Sequence, residues 1–296
     1  MKILLLGGSG MLGSDCQKVL SADHEVFAPD RKELDIVSWD VVIEKMQNNS
    51  PDIVLNCAGF TDVDACERKD YFDVRKINVE GPRNLAQGAA RFNCKIMHIS
   101  SDYVYSGQKS VPQPYFEDDP LNPVSSYGKS KMESEIAIRE NAPNYIIIRS
   151  SWLYGFTGKN FLKSILINAL DKKRKTLRAV SDQVGSPTWT YSLALQIKEL
   201  LGKNTIGTFH ATSEGYCSRF ECAQYVLKKL KIKALFETAS MRDYPHAAKK
   251  PTNCILENRL LKKQGFNVMA DWKEDIDTFL DQYGQDLIKQ IKAGNH

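Results

Sequence analysis

Tyr127 and Lys131 stand four residues apart in the segment Tyr127-Gly128-Lys129-Ser130-Lys131, a spacing that on a helix puts both side chains on one face. An unperturbed phenol has a pKa of about 10 and is a poor acid–base catalyst near neutrality. A neighbouring ammonium stabilises the phenolate and moves that pKa toward working pH. Upstream, an apolar run ends in Ser100-Ser101-Asp102, where Ser101 is placed to donate a hydrogen bond to a substrate carbonyl. Such a trio suits ketone reduction, with hydride from a nicotinamide and a proton from the tyrosine. A Tyr-x-x-x-Lys pair alone is common in helices, so the reading depends on what accompanies it.

A glycine-rich turn accompanies it. Gly7-Gly8-Ser9-Gly10-Met11-Leu12-Gly13 satisfies G-x-G-x-x-G from Gly8 and G-x-x-G-x-x-G from Gly7, and it follows an apolar run and opens a helical pattern. Residues without Cβ atoms allow a tight turn and close approach of the backbone to a pyrophosphate, which then sits on the helix N-terminus. Asp30 stands where a carboxylate would hydrogen-bond the adenosine ribose, while Arg31 beside it could instead meet a 2′-phosphate. NADPH and NADH both remain open. Asp35 and Ile36 could border the adenine.

These groups must be held by strand ends and helix N-termini, and the pattern supplies both. Lys2 to Leu6 reads as a buried parallel strand, Met11 to Leu20 as a helix, and residues 25–28 as a second strand. Helices near 38–48, 79–92 and 126–139 alternate with strands at 53–56, 95–100 and 145–149. This predicts an α/β fold: a Rossmann-type doubly wound parallel sheet over residues 1–149, with ligands at the carboxyl ends of its strands. Residues 150–296 predict a smaller C-terminal lobe, with helices near 161–169, 192–201 and 219–229 and some segments returning to pack on the first domain.

Composition narrows the partners. Forty Lys and Arg against 36 Asp and Glu give a net charge of +4, too weak a bias for nucleic acid. Seven cysteines with no Cys-x-x-Cys pair argue against a disulfide framework or a zinc site. No apolar run approaches the ~18 residues of a membrane span, so a cytoplasmic protein is expected. The run 171–175 is mostly basic and reads as a solvated face. His98, inside an apolar strand, reads as a hydrogen-bonded core residue rather than a ligand. Asp62, Asp64 and Glu67 could suggest a metal cluster, but they fit a helix start, where carboxylates favour the dipole; no metal ligand is assigned.

Gly7 to Gly13, Asn56-Cys57-Ala58-Gly59, Ser100-Ser101-Asp102-Tyr103 and Tyr127 to Lys131 resemble the extended short-chain dehydrogenase/reductases. Within that superfamily the chain is similar to the dTDP-4-dehydrorhamnose reductases. The segments are Thr61-Asp62-Val63-Asp64, Ser101 to Tyr105, Ser151 to Gly155, Asn160-Phe161, Asp182 to Thr188 and Lys249-Lys250-Pro251.

The resemblance implies reduction of a dTDP-linked 4-keto sugar, with Ser101, Tyr127 and Lys131 as the catalytic trio. Tyr127 would give the proton, Ser101 polarise the carbonyl, and Lys131 serve both Tyr127 and the nicotinamide ribose. It extends the cofactor contacts to Ala58, Gly59 and Ser100, and puts Thr61, Val63, Asp102, Tyr103 and Trp152 near the substrate. It also implies a sugar-nucleotide lobe after residue 150. Some relatives are homodimers with a divalent ion such as Mg2+ at the interface. Family members often have Arg where Lys249 and Lys250 stand, and lysine lacks the bidentate fork suited to a diphosphate. Two alternatives resemble the same motifs: a reductase of another nucleotide-linked 4-keto sugar, and the non-catalytic β subunit of methionine adenosyltransferase.

Overall fold

The computed structural model describes residues 1–68, 71–171, 173, 176–244 and 248–294. Most of the basic run at 171–175 lies outside the described residues. The first half alternates β1 (Lys2–Leu6), α1 (Met11–Leu20), β2 (Glu25–Phe27), α2 (Trp39–Asn49) and β3 (Ile53–Asn56). Two short helices follow, α3 (Val63–Arg68) and α4 (Tyr71–Arg75), then α5 (Gly81–Arg91), β4 (Lys95–Ser101), α6 (Ser126–Asn141) and β5 (Tyr145–Ser150).

Five of these strands and a later one form a single parallel sheet. The later strand is β10 (Gly207–His210), and the order is β2-β1-β3-β4-β5-β10. Along β1 the side chains alternate between two cores: Ile3 and Leu5 join Leu12, Cys16 and Leu20 of α1 on one face. Leu4 and Leu6 join Val42 and Met46 of α2 and Leu85 of α5 on the other. A strand covered on both faces has no use for polar alternation, which is why β1 reads Lys-Ile-Leu-Leu-Leu. The chain leaves β1 for β2 on one side and returns to β3 on the other. The strand order therefore reverses between β1 and β3, and a crevice opens at their carboxyl ends.

Beyond β5 the chain builds β6 (Leu153–Tyr154), α7 (Phe161–Leu170), β7 (Thr176–Val180), β8 (Val184–Gly185), β9 (Thr188–Trp189) and α8 (Thr190–Leu201). After β10 come β11 (Cys217–Ser218), α9 (Arg219–Lys229), β12 (Leu235–Ala239), β13 (Asn253–Cys254), α10 (Arg259–Lys263) and α11 (Trp272–Lys292). Their apolar faces form a separate core in which Leu162 and Leu166 meet Trp189, Val226 and Phe279. Helix α8 leaves that lobe to pack on α1, with Leu193, Ile197 and Leu200 in the first core.

Two details depart from the sequence pattern. The helix expected from residue 79 begins at Gly81, after a π-helical turn at Lys76–Glu80. A Cβ at Gly81 would lie 2.5 Å from Ile36, so glycine lets the helix sit against that loop. Helix α11 was not anticipated, although Trp272, Ile276, Phe279, Leu280 and Leu287 lie on one helical face and are buried. Among the described residues, no helix is long and apolar enough to cross a membrane.

Behind the carboxyl end of β4 sits a buried ion pair. Arg149 reaches both carboxylate oxygens of Glu135, by Nε at 2.8 Å and by a terminal nitrogen at 2.7 Å. Burial alone would raise the Glu135 carboxyl, but Arg149 and the Ser100 hydroxyl outweigh it and hold it below the usual range. Arg149→Met should leave that buried carboxylate to the partly exposed Arg139, 2.7 Å away, and cost about 3 kcal/mol, read as a lower midpoint in urea unfolding. An unchanged midpoint would refute the pair's importance.

Candidate active site

The crevice between β1 and β3 is lined by the turn Gly7 to Gly10, the loop Asp30 to Ile36 and the turn Cys57 to Phe60. Gly7 has φ +77°, and a Cβ there would lie 2.8 Å from Ala58 N. A Cβ on Gly13 would come within 2.0 Å of the Gly7 carbonyl. Gly7 needs to be glycine for the two turns to approach, and Gly13 for the start of α1 to close on the glycine loop. Gly10 caps α1 with no side-chain acceptor, so nothing from the cap competes for the amides that Met11, Leu12 and Gly13 present there.

This cradle fits a dinucleotide. Asp30, Arg31, Asp35 and Ile36 all reach its rim. The Asp30 carboxylate accepts from the amides of Lys32 (2.7 Å) and Glu33 (3.0 Å), and thus caps its own turn. Asp35 does the same for Val37 at 3.1 Å. Arg31 is exposed and lines the crevice.

At the neighbouring strand end, Ser100 and Ser101 point to different places. Ser100 Oγ donates to Glu135 Oε1 at 2.6 Å, so toward a cofactor Ser100 offers its backbone. Ser101 Oγ donates to Asp102 Oδ1 at 2.9 Å and accepts from the Tyr103 amide at 3.2 Å. It also faces the Tyr127 phenol. Tyr127 begins α6, capped by Ser125, whose hydroxyl accepts from the Gly128 amide at 3.1 Å. A Cβ on Gly128 would lie 2.2 Å from the Tyr103 carbonyl, so this glycine lets the helix start press against the Ser101-Asp102-Tyr103 turn. The rings of Tyr103 and Tyr127 meet edge to face at 5.5 Å.

Lys131 does not play the part its spacing suggests in this arrangement. Burial lowers its pKa to about 8, and Nζ donates to the Ile99 carbonyl at 2.6 Å. The Tyr127 phenol is pushed up by burial; the Ser101 hydroxyl opposes that rise, while Asp102 and Cys66 add to it. The Lys131 ammonium is thus drawn under β4, to the Ile99 carbonyl.

A hydrogen-bond chain fixes where Lys131 sits. Asn56 Oδ1 accepts from Ala58 N at 3.0 Å, which turns its Nδ2 toward His98 Nδ1, also at 3.0 Å. His98 Nδ1 therefore accepts, and its Nε2 carries the proton toward Ser134 Oγ at 3.0 Å. Ser134 in turn donates to the Lys131 carbonyl at 2.7 Å. With Nε2 protonated, its 3.4 Å approach to Lys131 Nζ joins two donors and is no hydrogen bond. Burial, with Lys131 adding to it, keeps His98 well below its ordinary pKa and hence neutral. His98 is a hydrogen-bonded core residue.

Opposite the trio, Trp152 has φ +48°, a left-handed conformation costly for a bulky residue. The Arg219 guanidinium stacks on its ring, 3.5 Å from the centroid. Arg219 Nε also donates to Gln183 Oε1 at 3.3 Å. Arg219, Gln183, Tyr103 and Lys250 line one depression with Arg178 and Tyr244. Arg219 was not singled out from sequence, since nothing in its local spacing marks a site, whereas Gln183 falls in the Asp182 to Thr188 segment that carries the family resemblance. Val63 packs against the Tyr127 cluster, whereas Thr61 lies exposed on the loop before α3.

The three nearby carboxylates disperse. Asp62 caps α3 through the Ala65 amide, Asp64 pairs with Lys250 at 3.0 Å, and Glu67 binds the amide and hydroxyl of Ser126. Among the described residues no group of three or more His, Cys, Asp or Glu side chains gathers to hold a metal.

Comparison with known proteins bears on this geometry. The family described as RmlD substrate binding domain matches residues 1–285. A dTDP-4-dehydrorhamnose reductase of Aggregatibacter actinomycetemcomitans is 35% identical, over 92% of this chain and 96% of its own. This chain belongs to the dTDP-4-dehydrorhamnose reductase family. The family member from Clostridium acetobutylicum superposes with a TM-score of 0.92 at 36% identity, over 96% of this chain and all of its own. The one from Bacillus anthracis, solved in complex with NADP, gives 0.91 at 32% identity, over 95% and 99%.

Gly13→Ala should displace the family's glycine turn and weaken dinucleotide affinity at least about tenfold, or ~1.4 kcal/mol. Titration calorimetry with NADPH checks this, and unchanged affinity would show that the turn can open without cost.

Proposed function

We propose that this chain reduces dTDP-4-dehydro-β-L-rhamnose to dTDP-β-L-rhamnose. The observation that carries the reading is that the Ser101 hydroxyl meets the Tyr127 phenol, whose ring packs with Phe60 of the glycine cradle and with Tyr103 of the depression that Arg219 lines. A bound nicotinamide supplies hydride to the sugar C4. Tyr127 gives its phenolic proton to the developing 4-alkoxide, and Ser101 donates a hydrogen bond to the same oxygen. Burial keeps the phenol protonated before substrate binds. Lys131 offers its ammonium to the nicotinamide ribose, drawn from the Ile99 carbonyl.

Residues 1–149 form the dinucleotide side in this reading, with Ala58 and Gly59 facing the cofactor. The lobe over 150–296 receives the sugar nucleotide. Trp152 packs on the deoxysugar, Thr61, Val63 and Tyr103 border it, and the cations Arg178 and Arg219 suit a diphosphate. NADPH is the favoured cofactor, because Arg31 is exposed on the crevice where a 2′-phosphate would meet it. The NADP-bound relative supports the same choice.

The deciding experiment follows NADPH oxidation with the keto sugar generated in situ, with product identification. Turnover giving dTDP-β-L-rhamnose is expected; another deoxysugar would shift the substrate assignment. No turnover of any keto sugar, with recovery of methionine adenosyltransferase in a pull-down, would favour the regulatory alternative. Tyr127→Phe should lower kcat by about 10²- to 10⁴-fold with cofactor affinity retained, and unchanged kcat would refute the proton donor. Arg31→Ala should raise the KM for NADPH about tenfold while sparing NADH; equal losses would remove Arg31 from the 2′-phosphate.

A further inference from the structure

The Ser101 hydroxyl has one hydrogen, and in this structure it is spent. It points at Asp102 Oδ1 at 2.9 Å, and the same oxygen accepts the Tyr103 amide that closes the turn after β4. A serine in that state can accept a hydrogen bond but has none left for a substrate carbonyl. Asp102 is 3% exposed, and apart from Ser101 its carboxyl meets the Cys254 thiol.

We infer that Asp102 is a positioning residue that must carry a proton for Ser101 to polarise the carbonyl. With Asp102 neutral, its own O–H can donate to Ser101 Oγ, and the serine hydrogen swings toward the oxygen being reduced. The proton on Asp102 is retained through the reaction; only the direction of the Ser101–Asp102 hydrogen bond reverses. The inference rests on the reductase reading for its catalytic consequence, and on the Ser101–Asp102 geometry for its mechanism.

The surroundings of Asp102 make the neutral form accessible. Burial raises its pKa to about 6, against the Cys254 thiol, the Ser101 hydroxyl and the Arg219 guanidinium, which all act to lower it. From α6 the Tyr127 phenol faces it, and from its own turn Tyr103. Among these groups the positive charge is that of Arg219, which is stacked on Trp152 beside the pocket proposed for the nucleotide. An anion bound there would neutralise Arg219, and the sugar would exclude water. Both changes favour the neutral carboxyl, so substrate binding and proton uptake are coupled.

The test has two readouts. In infrared difference spectra of the substrate-free protein, the neutral-carboxyl band of Asp102 should appear as pH falls through about 6 and vanish in Asp102→Asn. In Ser101→Ala, which removes the hydrogen bond to the carboxylate, its midpoint should rise. In the pH–rate profile, wild-type kcat/KM should fall about tenfold per pH unit above its Asp102 midpoint. Asp102→Asn, whose amide can always donate to Ser101, should lose that limb and keep the one near pH 8 from Lys131.

An Asp102→Asn enzyme slowed by the same factor at every pH, or retaining the lower limb, would overturn the inference. If that variant does not fold, an infrared midpoint unmoved in Ser101→Ala overturns it instead. Absence of turnover with any keto sugar, beside a normal infrared titration, would count against the reductase reading and leave the Ser101–Asp102 coupling standing.

Discussion

The two charges of Glu135 and Arg149 are buried together, and the polar geometry of the site hangs from them. Glu135 belongs to α6, one turn beyond Lys131, and takes the Ser100 hydroxyl as well as the guanidinium. Arg149, on β5, reaches onward to the Tyr105 hydroxyl at 2.5 Å and the Glu117 carbonyl at 3.0 Å. Tyr105 meets His210 of β10 at 2.8 Å. Desolvating both charges is costly unless each lone pair and N–H finds a partner, and here the partners lie on four different segments. Satisfying one pair thus sets the register of β4, β5, β10 and α6, and with it the depth at which Ser101 and Tyr127 stand.

A second polar thread runs across the sheet from the cofactor side. Asn56, His98 and Ser134 pass their hydrogen bonds in one direction, from the Ala58 amide to the Lys131 carbonyl. The turn that borders the dinucleotide and the helix that bears the lysine are therefore fixed relative to one another through buried groups. Between the two threads, few side chains near the reacting atoms are free to choose a rotamer, which is the preorganisation that electrostatic catalysis requires.

Much of this was legible in the sequence because it follows local rules. The glycine turn, the alternation of apolar strands with helical patterns, and the Tyr127–Lys131 spacing each declare themselves within a few residues. The Tyr127–Lys131 spacing puts both on one helix face but does not say what the adjoining strand offers, and here the Ile99 carbonyl takes the ammonium. Arg219 and Cys254 come to Asp102 from more than a hundred residues away, with no pattern to announce them. Helix α11 was legible and missed: its apolar stripe is periodic, but it is interrupted by Asp275 and Asp277. The structure shows why the first is tolerated, since Asp275 is buried and accepts from Ser192 and Ser213 at 2.6 and 2.7 Å.

The return of α8 and β10 to the first sheet has a consequence for how the chain is made. A ribosome that has delivered residues up to the end of β5 has supplied five strands of the sheet, but α1 still lacks the cover of Leu193, Ile197 and Leu200, and β5 lacks its outer neighbour. An uncovered apolar face and an unpaired strand edge are what make nascent chains aggregate. The chain must therefore run on through the lobe, past β10 to Leu261 of α10, before its first core can close, and substitutions that slow folding of the lobe should be felt as lost yield of the whole protein.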